Sequence, residues 1–161
     1  MSVCFKITPG AIVLTIVFIN AFASDKPVKM KDLPPAVQRT VQEQSKGATV
    51  RGLLTEVEHG RRIYEVEMTV NGHGKDVSMD ASGTVLEVEE EVALGSIPAA
   101  ARAAIQKAAG GGKIAKVEKV TGGKEIAYEA ALRKDGKSSE VRVSADGSML
   151  PEDQWLAEGG S

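Results

Sequence analysis

The sequence predicts an α+β fold: two tandem units, each one helix packed on a four-stranded antiparallel sheet. Three observations lead there. From Tyr64 to Val70, apolar side chains alternate with Glu65, Glu67 and Thr69, the period of a strand with one buried and one wet face. Turn signals interrupt the chain at short intervals, first at Asn71-Gly72-His73-Gly74 and then at Ala81-Ser82-Gly83. The third is an internal correspondence. A constant, gap-free offset that lays Leu33 on Ile97 also lays Pro34 on Pro98, Val41 on Ile105 and Gly47 on Gly111. It carries Tyr64-Glu65 onto Tyr128-Glu129, Asn71-Gly72 onto Asp135-Gly136 and Gly83 onto Gly147.

Residues 1–23 read as a signal peptide. Lys6 precedes an apolar run, 11–22, too short to span a bilayer comfortably and ending in the small-x-small pattern Ala21-Phe22-Ala23. Cleavage before Ser24 is expected, and Cys4, the only cysteine, lies ahead of the run rather than at the cleavage point of a lipoprotein. The expected product is periplasmic or secreted, has no disulfide and keeps no stable membrane anchor. Residues 24–31, polar and lysine-rich, read as an N-terminal tether.

The first unit is expected over residues 32–91. Asp32 or Leu33 can cap a helix with Pro34 and Pro35 in its first turn, where a missing amide hydrogen costs nothing. Leu33, Val37 and Val41 fall on one face, and Gly47 ends the helix. The β-branched stretch 48–57 reads as a strand whose apolar phase slips around Gly52-Leu53-Leu54, as at a bulge. The strand of Tyr64 follows, then Val77 and Met79, then a fourth strand. The acidic run 87–91, closed by Gly95, reads as the link to the second unit, expected over residues 96–156. There Ser96 is the expected cap, and the helix 99–109 is rich in alanine, which favours helix but offers little area to bury.

These residues resemble the PepSY-like family, in its branch related in fold to the β-lactamase inhibitor protein. The resemblance rests on Leu33-Pro34 with Val37, on Tyr64-Glu65-Val66-Glu67 and on Asp80-Ala81-Ser82-Gly83-Thr84-Val85-Leu86. It repeats in Ile97-Pro98, Tyr128-Glu129-Ala130 and Ser144-Ala145-Asp146-Gly147-Ser148-Met149-Leu150. It implies an exported, non-enzymatic domain, in some relatives an inhibitory propeptide of peptidases and in others a free-standing binding module.

Composition narrows the function further. Residues 24–91 carry nine basic and thirteen acidic side chains, and residues 92–161 carry ten and nine, so the negative charge belongs to the first half. Neither half offers the clustered basic surface that nucleic acid requires. The remaining histidines, His59 and His73, sit beside glycines in expected turns without clustered partners, so no metal centre is expected around them. No serine lies in a Gly-x-Ser-x-Gly elbow, and the glycine runs 110–112 and 122–123 lack a phosphate-loop lysine. The expectation is a protein that is not an enzyme and carries no cofactor.

The candidate site is the outward face of the first sheet. If Val70 faces Lys75, then Glu65 opposes Asp80; if Asn71-Gly72 is a two-residue turn, Glu67 opposes Asp76. Either register sets like charges against each other, which is unfavourable unless something positive is near. Glu65, Glu67, Asp76 and Asp80 are therefore the expected partner-facing patch, meeting basic side chains of another protein or a divalent cation. Trp155, the only tryptophan, is either a core plug that fastens the tail or an exposed anchor for that partner. The expected role is that of a monomeric module that binds or inhibits an envelope or extracellular protein such as a peptidase. The alternative is a periplasmic sensor module for a small ligand or divalent cation.

Overall fold

The computed structural model describes residues 26–58 and 60–151. In chain order these form β1 (Lys26–Pro27), α1 (Pro35–Gln44), β2 (Thr49–Glu58), β3 (Arg61–Val70), β4 (His73–Asp80) and β5 (Val85–Glu91). Then follow α2 (Ala99–Ala109), β6 (Lys113–Gly122), β7 (Glu125–Lys134), β8 (Lys137–Ser144) and β9 (Met149–Leu150). Single 3-10 turns, Met30–Asp32 and Leu94–Ser96, precede the two helices. Among the described residues no helix is long and apolar enough to cross a membrane.

Among the described residues, all nine strands join one antiparallel sheet whose spatial order follows chain order from β1 to β9. The expectation of two tandem units, each one helix on its own four-stranded sheet, is corrected here. The acidic run read as a linker is β5, and it pairs with β6 from Glu87 opposite Gly122 to Glu91 opposite Glu118. The physical reason is the strand edge. Separate units would leave β5 and β6 each with a row of unpaired backbone donors and acceptors, and pairing satisfies both rows. A two-residue strand, β1, also extends the other side of the sheet, where Lys26 and Pro27 face Thr55 and Leu54, within the segment read as a tether.

Two turns set the register. Asn71 at φ 52° and Gly72 at φ 86° close the β3–β4 hairpin, so Val70 pairs with His73 and Glu67 with Asp76. Asp135 and Gly136 do the same between β7 and β8. Left-handed backbone at both central positions matches the strand twist, and Asn, Asp and Gly tolerate it best. The register that opposed Glu65 to Asp80 is thereby excluded; Glu65 pairs with Ser78. The expected slip in β2 is present, with the pairing shifting between Val50 and Gly52.

Both helices pack on one face of the sheet, above two adjoining cores. Val37 and Val41 of α1 meet Tyr64, Val66, Met68, Val77 and Met79. Ala101, Ile105 and Ala109 of α2 meet Val117, Ala130, Leu132 and Val143. Tyr64 is buried, whereas Tyr128 is half-buried at the edge of its cluster. Neither helix has a side-chain cap: α1 follows Pro34 and α2 follows Pro98, and Ser96 Oγ donates to Ala93 O instead. Turns that follow β4 and β8 press on the helices. A Cβ at Gly83 would lie 2.8 Å from Ala36 O, and one at Gly147 would lie 2.8 Å from Ala100 O.

Candidate functional site

Strand alternation sends every second side chain of β2 to β8 to the face away from both helices. Register then arranges them in rows. Glu67, Asp76 and Glu89 lie in one row across β3, β4 and β5. Glu91, Glu118, Glu129 and Arg142 lie in another across β5 to β8. Gly52 faces Glu67, and a Cβ there would sit 2.5 Å from Glu67 Oε2, so the glycine of the β2 bulge is what admits that carboxylate.

Three bases answer the acids. Arg142, only 11 % exposed, clamps Glu87 with Nη1 to Oε2 and Nη2 to Oε1, both at 3.0 Å. It also reaches Glu129 Oε2 at 2.7 Å and Glu89 Oε1 at 3.5 Å. Since Glu87 is on β5, this guanidinium leans over two intervening strands, and Gly122, which faces Glu87, has no side chain to obstruct it. Burial opposes the charge of Arg142, but Glu87 and Glu129 outweigh it and hold its pKa above the ordinary value. Lys116 Nζ meets Glu118 Oε2 at 2.8 Å, and Arg51 Nη2 meets Asp76 Oδ1 at 3.0 Å.

The bases do not neutralise the centre. Glu89 is pushed up to about 10, first by burial and then by the charges of Glu129, Glu87 and Glu118. Glu118, 3 % exposed, is also raised, chiefly by burial, against the pull of Lys116. Its Oε1 is buried and has no hydrogen-bond partner among the described residues.

Of the residues expected at the site, the structure brings Glu65, Glu67 and Asp76 together, with one carboxylate oxygen of each within 4.8 Å of the others. Asp80 lies apart, with a local task. Its Oδ1 accepts from Ser82 N at 2.8 Å, Ser82 Oγ at 2.6 Å and Thr84 N at 3.0 Å, shaping the β4–β5 turn. Burial is the largest single influence and would raise its pKa, but these bonds and the nearby Arg61 charge together outweigh it and lower it. Trp155, the signal peptide and His59 lie outside the described residues.

Glu87, Glu89, Glu118, Glu129 and Arg142 were not expected at the site. Part of the signal was readable, since period-two alternation puts Glu87 with Glu89 and Lys116 with Glu118 on shared faces. Reading 87–91 as a linker hid it. The reach of Arg142 from β8 to β5 has no local signature.

The chain has a BLIP-like fold. A DUF2874 family protein from Bacteroides ovatus is 18% identical, with a TM-score of 0.56 over 74% of this chain and 85% of its own. A protein from Bacteroides eggerthii, provisionally described as periplasmic, is 16% identical with a TM-score of 0.59 over 74% and 86%. A protein from Bacteroides fragilis described as BLIP-like is 20% identical with a TM-score of 0.51 over 72% and 82%. No family model matches the chain, and no curated protein matches it either.

Proposed function

We propose that this chain is an exported, periplasmic binding module without catalytic activity, engaging a basic protein of the envelope through the acidic face of its sheet. The observation that carries this reading is the run of partly exposed carboxylates at Glu65, Glu67, Asp76, Glu89 and Glu129 on the face that neither helix covers, backed by the buried Glu87 and Glu118 and set against Arg51, Lys116 and Arg142. A partner bearing Lys and Arg would complete that balance, and charge complementarity speeds encounter as well as selecting partners. A broad face suits a protein better than a small molecule does. The depression lined by Leu54, Thr55, Glu56, Ile63 and Glu65 is a shallow surface hollow, unlike the enclosed clefts that hold small ligands.

Export agrees with the leader read at residues 1–23 and with the periplasmic description of the Bacteroides eggerthii relative. PepSY-like ancestry, with the chain's two halves descended from one duplicated segment, accounts for the correspondence of Leu33 with Ile97 and of Asn71-Gly72 with Asp135-Gly136. The test is capture from the native envelope extract by immobilised protein, read by mass spectrometry, beside a Glu65→Lys/Glu67→Lys double variant. A basic protein should be held at low salt, released at high salt and missed by the variant. Equal recovery by both proteins would refute the reading.

A further inference from the structure

We propose that Asp76, Glu89 and Glu118 bind one divalent cation of the calcium class where β4, β5 and β6 meet. Two independent observations point to it. One oxygen from each carboxylate lies within 4.8 Å of the other two. That is the span across an ion that takes oxygens at about 2.4 Å. The second is the orphan on Glu118. Its side chain is 4 % exposed and Lys116 holds Oε2 at 2.8 Å, yet Oε1 is buried without a partner among the described residues. Buried carboxylate oxygens are ordinarily satisfied, and a cation within the triad would turn this one into a ligand.

The donor set selects the metal. Three carboxylates with no imidazole or thiolate are hard oxygen donors, suited to calcium or magnesium rather than zinc or copper. Calcium tolerates irregular cages, which fits ligands drawn from three adjacent strands, with water filling the remaining positions. Each carboxylate already holds one base, Lys116 on Glu118 included, so the ion would bind beside these pairs through the remaining oxygens. Arg51 takes Asp76 Oδ1 at 3.0 Å, and Arg142 approaches Glu89 Oε1 at 3.5 Å.

Position gives the site a consequence. Asp76 and Glu89 come from strands below α1, and Glu118 comes from the first strand below α2, so a bound ion would tie the β5–β6 seam on the face opposite the helices. The second acidic triad, Glu65, Glu67 and Asp76, shares one ligand, and among the described residues it shows no orphaned buried oxygen.

The experiment uses purified protein stripped with EDTA and dialysed, titrated with calcium chloride by calorimetry and followed by thermal melting. One saturable site and a rising melting temperature are expected. Glu118→Gln and Asp76→Asn should each weaken calcium at least tenfold, while Glu65→Gln should leave it unchanged. Absence of saturable calcium binding by the unaltered protein would overturn the proposal, whatever the variants do. So would loss of binding in Glu65→Gln with retention in Glu118→Gln. Either result leaves the protein-partner reading standing, because that is judged by capture on Glu65 and Glu67.

Discussion

Arg142→Met should be among the most damaging single changes on the sheet's open face. The guanidinium is 11 % exposed, while its partners Glu87 and Glu129 are 8 % and 17 % exposed. Removing it leaves buried carboxylates without their cation, and breaking a buried pair in this way costs about 3–5 kcal/mol. Arg51 is the internal comparison: 45 % exposed and paired with Asp76, it belongs with surface bridges worth about 0–1 kcal/mol. Burial rather than distance therefore decides the outcome, since both bridges measure 3.0 Å. Urea unfolding should place Arg142→Met several kcal/mol below the parent, and melting should fall by roughly 10–20 °C. Glu87→Gln in the same chain should recover part of the loss by removing one orphaned charge. If Arg142→Met and Arg51→Met cost the same, the view of Arg142 as a clamp spanning β5 to β8 is wrong.

Three more outcomes test other levels of the structure. Gly83→Ala forces a side chain at φ +80° to within 2.8 Å of Ala36 O and should cost more than about 2 kcal/mol; Gly72→Ala at φ +86° meets nothing within 4 Å and should cost about 1. Equal losses in denaturant would remove the close approach to α1 as the cause. Tyr64→Ala should cost about 3 kcal/mol and Tyr128→Ala clearly less, because the first ring is buried and the second half-buried; equal melting shifts would contradict that difference. For Glu89, the folded pKa of about 10 lies above the ordinary 4.5, so the folded protein binds the extra proton. Stability from this group is then full below the unfolded value and declines as pH rises between the two, by at most about 1.4 kcal/mol per pH unit. In EDTA-containing buffer Glu89→Gln should flatten that decline, and parallel profiles for the two proteins would show that Glu89 is not its source.

Local chemistry was legible wherever it acts over a few residues. Asn71-Gly72 and Asp135-Gly136 announced two-residue turns, and with them one of the two registers weighed for β3 and β4. The slip near Gly52 announced a bulge, although nothing local showed that its glycine admits Glu67. Glu67 and Asp76 were paired through the Asn71-Gly72 turn, whereas the competing register that set Glu65 against Asp80 does not form, and the bonds of Asp80 to Ser82 and Thr84 were not foreseen.

By itself, the sequence determined most of the strands, their turns, the apolar stripe of α1 and the acidic bias of the first half. Each follows from periodicity, backbone freedom or charge along a short stretch of chain. Only the tertiary structure decided that β5 joins β6, that Arg142 clamps Glu87 from three strands away, and that Glu118 reaches the row of Asp76 and Glu89. Those outcomes depend on satisfying two strand edges at once and on compensating charges that the same pairing buries. Neither requirement exists until residues far apart in the chain have been brought together.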